Sequence, residues 1–350
     1  MRRISALIVG GGPAGASAAI TLARSGAMPV VIERCPGERD LVCGGFLGWD
    51  ALAALHRLGL DPAALGARPI RRLRLVSGRN VVEAALPRVA AGLSRRRLDA
   101  ALLDMAEEAG AAVLRGRTAR ALDDRCLRLD GGEEMEADAI FLATGKHELR
   151  GAAREIEGWP VSVGLRAALP PIDDLAGTIE LHLFDGGYAG LLGQEDGTAN
   201  LCLTVTRERM TDRDALIAAL VAEAPLLGER IGASSLDHWE AVSGVPYGWR
   251  ARSTAPGCYR IGDQAAVIAS LAGDGIAIAL ASGVAAAHAC FSGESAEHYQ
   301  AGFARRAARP LAIAEALRKL AARPRRRRLM MGLAGIPGLA KLAARLTRIG

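Results

Sequence analysis

The apolar positions of the chain fall into two kinds of run: continuous ones that suit buried strands and helically spaced ones that suit packed helices. The first continuous run, Ala6-Leu-Ile-Val9, ends at a glycine cluster and passes into small and apolar residues entered through Pro13, which predicts strand, turn and helix. A second buried strand is predicted at Pro29-Val-Val-Ile-Glu33, and a helix over 49–58. Residues 72–76 and 81–85, divided by Ser77-Gly78, read as a hairpin. A helix from Ser94 to about Ala109 and a strand at 112–114 follow, then a small hairpin of 122–129 and 134–136 around Asp130-Gly-Gly132. Residues 137–143 are another buried strand, closing at Thr144-Gly145.

From 159 to 245 the texture becomes alternating, with strands at 178–184 and 199–205 and a helix near 213–222. The buried-strand pattern returns at 258–261, ahead of a long Ala/Ile/Leu helix over 275–290. The fold class is therefore mixed α/β (α+β). One Rossmann-like domain is expected from the separated segments 1–70, 90–158 and 255–300, and a β-sheet domain from 71–89 and 159–254. Residues 301–350 read as a basic helical C-terminal segment broken by Pro310 and Pro324. No internal repeat is present, and 350 residues with 50% hydrophobic content exclude a mainly disordered chain.

Charge changes the picture only at the end. The net charge is +6, yet residues 301–350 hold thirteen Lys and Arg against one acid, Glu315, while 1–300 are acidic overall. That distribution argues against nucleic acid as partner and towards a membrane surface, reached through residues 323–348 with the basic run Arg325 to Arg328 at their head. The alternative, a helical pair packed on the body with solvated arginines, stays open. The apolar run from Leu329 to Ile336 is too short to span a bilayer. Six cysteines lack metal-type spacing, and no signal peptide precedes the first strand, so reduced thiols in a cytoplasmic setting are expected, with the protein peripheral on a membrane's inner face if the tail docks there.

The chemistry begins at Gly10-x-Gly12-x-x-Gly15. Gly10 suits a sharp turn, Gly12 a close approach of backbone N–H groups to phosphates, and Gly15 tight packing of helix on strand, with Pro13 and Ala14 opening the helix towards the anion. Glu33, followed by Arg34, ends the second strand where a ribose hydroxyl would be held.

With those residues located, the chain resembles flavoproteins of the para-hydroxybenzoate hydroxylase fold, and most of all their geranylgeranyl reductase-like branch, over roughly 1–300. Cys43-Gly44-Gly45 resembles that branch's CGG segment, which lies along the flavin. Arg95-x-x-Leu98-Asp99 resembles a helix start whose arginine sits near the FAD phosphates. Ala143-Thr144-Gly145 resembles the strand end on the adenine side. Gly262-Asp263-Gln264-Ala265-Ala266, followed by Gly273-Asp274-Gly275-Ile276, resembles the segment that meets the ribityl chain and ring. A strand-end aspartate suits a ribityl hydroxyl, and a glycine-led helix N-terminus suits the ring edge that gains negative charge on reduction.

The resemblance implies an FAD-dependent oxidoreductase exchanging hydride between flavin N5 and a large apolar, isoprenoid- or polyketide-like substrate. NAD(P)H would dock transiently as donor, or an electron-donor protein would serve. Two alternatives stand beside it: an NAD(P)H-dependent flavin monooxygenase hydroxylating an aromatic or polyketide substrate, and a non-catalytic flavin-bound lipid carrier. Departures from the pattern are informative. Thr144-Gly145-Lys-His-Glu-Leu-Arg150 replaces the hydroxylases' DG-x-x-S-x-V-R, and Ala269 and Ser270 replace the prolines usual after the GDAA segment. Phe184-Asp-Gly-Gly-Tyr188-Ala-Gly190-Leu-Leu-Gly193 resembles the reductases' GGY-x-W-x-F-P strand, keeping Tyr188 but placing Gly190 at the tryptophan.

Among candidate side chains, Cys43 suits a thiol beside the flavin or a small buried hydrophobe, and Tyr188 suits placing or protonating substrate or walling the cavity. Tyr247 and Trp249 are further substrate-lining candidates, with core packing as the alternative. Asp274 either holds the glycine turn or caps its helix. His182 and His238 read as structural, and no metal cluster or G-x-S-x-G elbow is present in the sequence.

Overall fold

The protein is described from a computed structural model covering residues 4–232, 238–336 and 338–349. The chain opens with β1 (Ile4–Val9), α1 (Pro13–Arg24) and β2 (Val30–Glu33), as the apolar runs require. The short strand β3 (Phe46–Leu47), helix α2 (Trp49–Leu58), strands β4 (Arg68–Ser77) and β5 (Asn80–Gly92), and helix α3 (Arg95–Glu108) follow. Ser94 caps α3 by accepting from the Arg97 N–H at 3.2 Å, which explains why the helix begins there. Next come β6 (Ala112–Arg115), β7 (Ala119–Asp123), β8 (Cys126–Leu129) and β9 (Glu134–Leu142). The expected single strand over 122–129 is two strands, because the chain reverses at Asp124, whose φ is +50°.

The middle of the chain supplies β10 (Ser162–Leu169), β11 (Thr178–Phe184), β12 (Gly187–Gly193), β13 (Ala199–Thr206), helices α4 (Arg213–Glu223) and α5 (Pro225–Ile231), and β14 (Glu240–Val245). The chain then returns through β15 (Cys258–Arg260) to α6 (Gly275–Phe291), α7 (Ala296–Ala321), α8 (Pro324–Ala334) and α9 (Leu339–Leu346).

Two sheets result. In the first, β6, β2, β1, β9 and β15 run parallel, and β8 and β7 extend it antiparallel from the start of β9. The second has the order β14-β10-β13-β12-β11-β4-β5-β3, antiparallel except where β4 meets β11. Its boundaries are wider than the sequence suggested: β4 starts at Arg68, β5 continues to Gly92, and Phe46-Leu47 pairs with Gly92-Ala91. The chain crosses between the sheets four times, after β2, β5, β9 and β14, which ties them together.

Alternation sorts β11 cleanly. Ile179 and Leu181 face the interior shared with the first domain, while Glu180 and His182 are buried on the opposite face under α5. Burial alone would raise Glu180, but His182 (2.7 Å), Arg230 and Arg74 outweigh it and hold its carboxyl well below the ordinary range. His182 is thus a structural pin, and His238 is exposed.

Pro310 does not break the tail. It lies inside α7 and is buried, the packing of a 26-residue helix absorbing the lost hydrogen bond, whereas Pro324 does start a new helix, α8. All six cysteines are free, and no metal-binding cluster occurs among the described residues.

Candidate functional site

Two helix N-termini open into one cavity. α1 starts after Gly12 and α6 after Asp274, and neither first turn is capped by a side chain, so backbone N–H groups at both ends remain available to a ligand. Gly12, Pro13 and Ala14 line the cavity from one helix, and Gly273, Gly275 and Ile276 from the other. Steric demands explain the glycines. A Cβ on Gly10 would lie 2.4 Å from the Ala143 carbonyl oxygen, and one on Gly15 only 1.9 Å from that of Gly10. On Gly12 it would meet nothing nearer than the Arg95 guanidinium at 3.2 Å, so that glycine keeps open the space in front of the helix rather than a packing contact.

Arg95 lines the same space and is held by a two-point contact with Asp99, at 2.7 and 2.6 Å. Cys43 and Gly44 form the facing wall; the Cys43 carbonyl accepts from Asn200 Nδ2 at 3.0 Å, which anchors the loop to the second sheet. Gly45, with φ +69°, turns the chain behind them. Gly262 packs against Ala14, and Asp263 lines the cavity with its carboxylate 3.6 Å from Lys146 Nζ. The Lys146 ammonium also donates to the Val42 carbonyl at 3.3 Å.

Beyond Asp263 the cavity, about 490 Å³, becomes apolar. Leu73, Leu75 and Leu181 wall it from the sheet, Met330 and Leu333 from α8, and Ala340 and Ala343 from α9. Tyr188 reaches it from β12. Its ring is 4% exposed, and its hydroxyl makes no hydrogen bond among the described residues. Burial pushes that phenol well above its ordinary pKa. The neighbouring hydroxyls of Thr204 and Ser270 are each hydrogen-bonded to the Tyr247 hydroxyl, at 3.1 and 3.0 Å. Gly190 lines the wall close to Leu181, so the position where the reductase pattern carries a tryptophan adds volume here.

Several expectations need correction. Trp249 does not line the cavity: it is buried elsewhere, its Nε1–H donating to the Glu155 carbonyl at 3.1 Å with Arg154 over its ring. Arg34 is outside the cavity, with its guanidinium 2.8 Å from His147 Nε2. The Thr144 hydroxyl donates to the His147 carbonyl at 2.7 Å, so it shapes the strand end while Ala143 and Gly145 do the lining. Glu33 borders a second cleft of about 190 Å³ that shares Gly12, and accepts from the Gly11 and Cys35 N–H groups at 2.7 and 2.8 Å.

Asp274 was expected near the ring as turn or cap; it makes no cap and is tied to the end of the tail. Its carboxylate is fully buried, one oxygen paired with Arg348 and the other without a partner among the described residues. Arg348 lies 4.1 Å over the Trp49 ring. Lys146 and Arg348 escaped the sequence reading. Lys146 stood in a segment noted only for departing from a motif, and nothing local marks an arginine that acts across 74 residues.

Burial pushes Asp274 up to about 7, with Arg348 opposing and Asp50 adding to the shift. As pH rises from about 4, the unfolded chain loses this proton before the folded protein does, so the group costs stability progressively until about pH 7. Urea unfolding across that range, compared between wild type and Asp274→Asn, will shift in favour of the variant by about 4 kcal/mol. A pH-independent difference would mean that the carboxylate is already ionised at the acid end.

The residues fit FAD: two uncapped helix ends and a glycine turn with no room for side chains face one channel long enough to lead from Gly12 to the apolar chamber. Residues 3–148 match a family profile described as FAD binding domain. The menaquinone reductase of Mycolicibacterium smegmatis is 30% identical over 361 residues, covering 89% of this chain and 84% of its own. The chloroplastic geranylgeranyl diphosphate reductase of Nicotiana tabacum is 26% identical, covering 83% of this chain and 67% of its own. A solved geranylgeranyl bacteriochlorophyll reductase-like protein from Thermoplasma acidophilum superposes with a TM-score of 0.77 at 17% identity, covering 99% and 97% of the two chains, and so shares the fold. This chain belongs to the geranylgeranyl reductase-like family of FAD-dependent oxidoreductases.

Proposed function

We propose that the protein reduces a carbon–carbon double bond in a large apolar, isoprenoid- or polyketide-like substrate. The observation that carries this reading is the single cavity that starts at the glycine-led helix ends and continues as an apolar chamber beneath α8 and α9. FAD, when bound and reduced, would supply the hydride from its N5 atom. The N-terminus of α6 would favour negative charge on the flavin ring, and the α1 N-terminus with Arg95 would hold the phosphates. Leu73, Leu75, Leu181 and Met330 exclude water and hold an apolar chain by burial.

Saturating a double bond needs a proton as well as a hydride. Tyr188 is the donor: its hydroxyl is protonated at all ordinary pH and lies in the chamber wall beside the Thr204 and Ser270 hydroxyls, from which it can recover the proton it gives up. Cys43 serves as part of the wall that positions the ring. Relatives named for menaquinone and geranylgeranyl diphosphate support an isoprenoid-bearing substrate, and Gly190 supports one bulkier than a tryptophan at that site would admit. With one dinucleotide motif in the sequence, NAD(P)H docks transiently where it is the donor, and an electron-donor protein serves otherwise.

The test is anaerobic. Protein reduced with dithionite and mixed with detergent-dispersed menaquinone, or with geranylgeranyl diphosphate, will regain the oxidised flavin spectrum and yield a product two hydrogens heavier, saturated in its isoprenoid chain. Reoxidation that waits for oxygen and gives a hydroxylated product would replace this reading with monooxygenation.

A further inference from the structure

Five of the eleven most exposed large apolar side chains among the described residues fall within one 14-residue stretch: Leu329, Leu333, Ile336, Leu339 and Leu342. They lie on α8, α9 and the turn between them: Leu329, Leu333 and Leu339 stand at the rim, exposed outward and also lining the apolar chamber, while Ile336 and Leu342 are exposed away from it. Around them stand exposed cations, Arg323, Arg325, Arg326, Arg328, Lys341 and Arg345. Arg325, Arg326 and Arg328 make no ion pair among the described residues, unlike Arg327, which turns inward to Asp185 at 2.8 Å. The segment has no acid after Glu315, and that carboxylate is already occupied by Arg318 and Lys319. No single described helix is long and apolar enough to cross a membrane; α8 and α9 reach that length and composition only as a pair, and the 110° bend between them suits two short helices lying in an interface better than one continuous span.

We propose that the outer face of α8 and α9 docks on an anionic lipid bilayer, which sets the cavity wall formed by these helices against the lipid. Exposed leucines and an isoleucine enter the acyl boundary while the arginines meet anionic headgroups. The docking rests on the exposed face alone. That it delivers substrate through this wall rests additionally on the function proposed above.

Vesicle flotation tests it with the full chain carrying its flavin. Wild-type protein will float with vesicles of phosphatidylglycerol and phosphatidylcholine, and will be released by salt. The triple variant Arg325→Gln, Arg326→Gln, Arg328→Gln will bind on the order of a hundredfold more weakly, about fivefold for each arginine. Ile336→Ser with Leu342→Ser, neither of which lines the cavity, will also lose binding while keeping the bound-flavin absorbance. Wild-type protein that ignores both vesicle types, or that binds pure phosphatidylcholine equally well, would overturn the proposal, as would variants that float like wild type. Turnover of detergent-dispersed substrate separates the two readings, because it survives in these variants if docking alone is lost and is absent from all forms if the proposed function is wrong.

Discussion

Replacing Gly15 with valine yields a protein without bound FAD and with stability reduced by about 3 kcal/mol or more. The new Cβ would stand 1.9 Å from the Gly10 carbonyl oxygen and 3.1 Å from Ile8 Cγ2, so the first turn of α1 has to move off β1. Moving it dismantles the N–H cradle that two other elements complete. Because that variant can fail simply by misfolding, Gly12→Val is the informative companion. Its Cβ meets no backbone, only the far ends of the Arg95 and Asp99 side chains at 3.2 and 4.0 Å, so the fold survives while the phosphate space fills. Flavin absorbance after gel filtration and the urea midpoint report the two effects separately: loss of both for Gly15→Val, and loss of flavin with a near-native midpoint for Gly12→Val. A Gly12→Val protein that retains flavin would place the phosphates elsewhere.

Tyr188→Phe will lower turnover on the order of a hundredfold or more while leaving the bound-flavin spectrum unchanged. Stability separates a chemical role from a structural one. The Tyr188 hydroxyl is buried without a partner among the described residues, so removing it relieves a desolvation penalty, and the variant will be as stable as wild type or more stable by about 1 kcal/mol. A destabilised variant with normal turnover would mean that the hydroxyl is satisfied by water and serves packing alone. Reoxidation rates with the same acceptors, followed beside thermal unfolding, decide between these outcomes.

How much of this was legible in the sequence depended on how far the determining contacts reach. The β1–turn–α1 unit, α2 and α3 were readable because their causes are local: glycines three and five residues apart, a helical stripe, and a serine cap. Phe46-Leu47 was not legible as a strand, since two residues acquire that state only by pairing with Gly92-Ala91. Pro310 was misjudged for the opposite reason, a local rule overridden by the packing of a long buried helix. Trp249 arrived beside a true cavity residue, Tyr247, but the two side chains point to different partners, a direction that no periodicity encodes. The tail offered two readings from its composition, and its folded form has features of each: one side packs on the body, and the other keeps an apolar, cationic face exposed.

The position of α8 and α9 in chain order also gives the cavity a history. Apart from Thr347 and Arg348, every other wall, including both helix ends that open into the cavity, precedes these two helices in the chain. A nascent chain complete through α7 therefore presents the glycine turn, Arg95 and the α6 N-terminus with one side of the chamber still open. The Arg348–Asp274 pair joins almost the last described residue to the ring-facing helix, so the enclosure is finished only as synthesis of this segment ends.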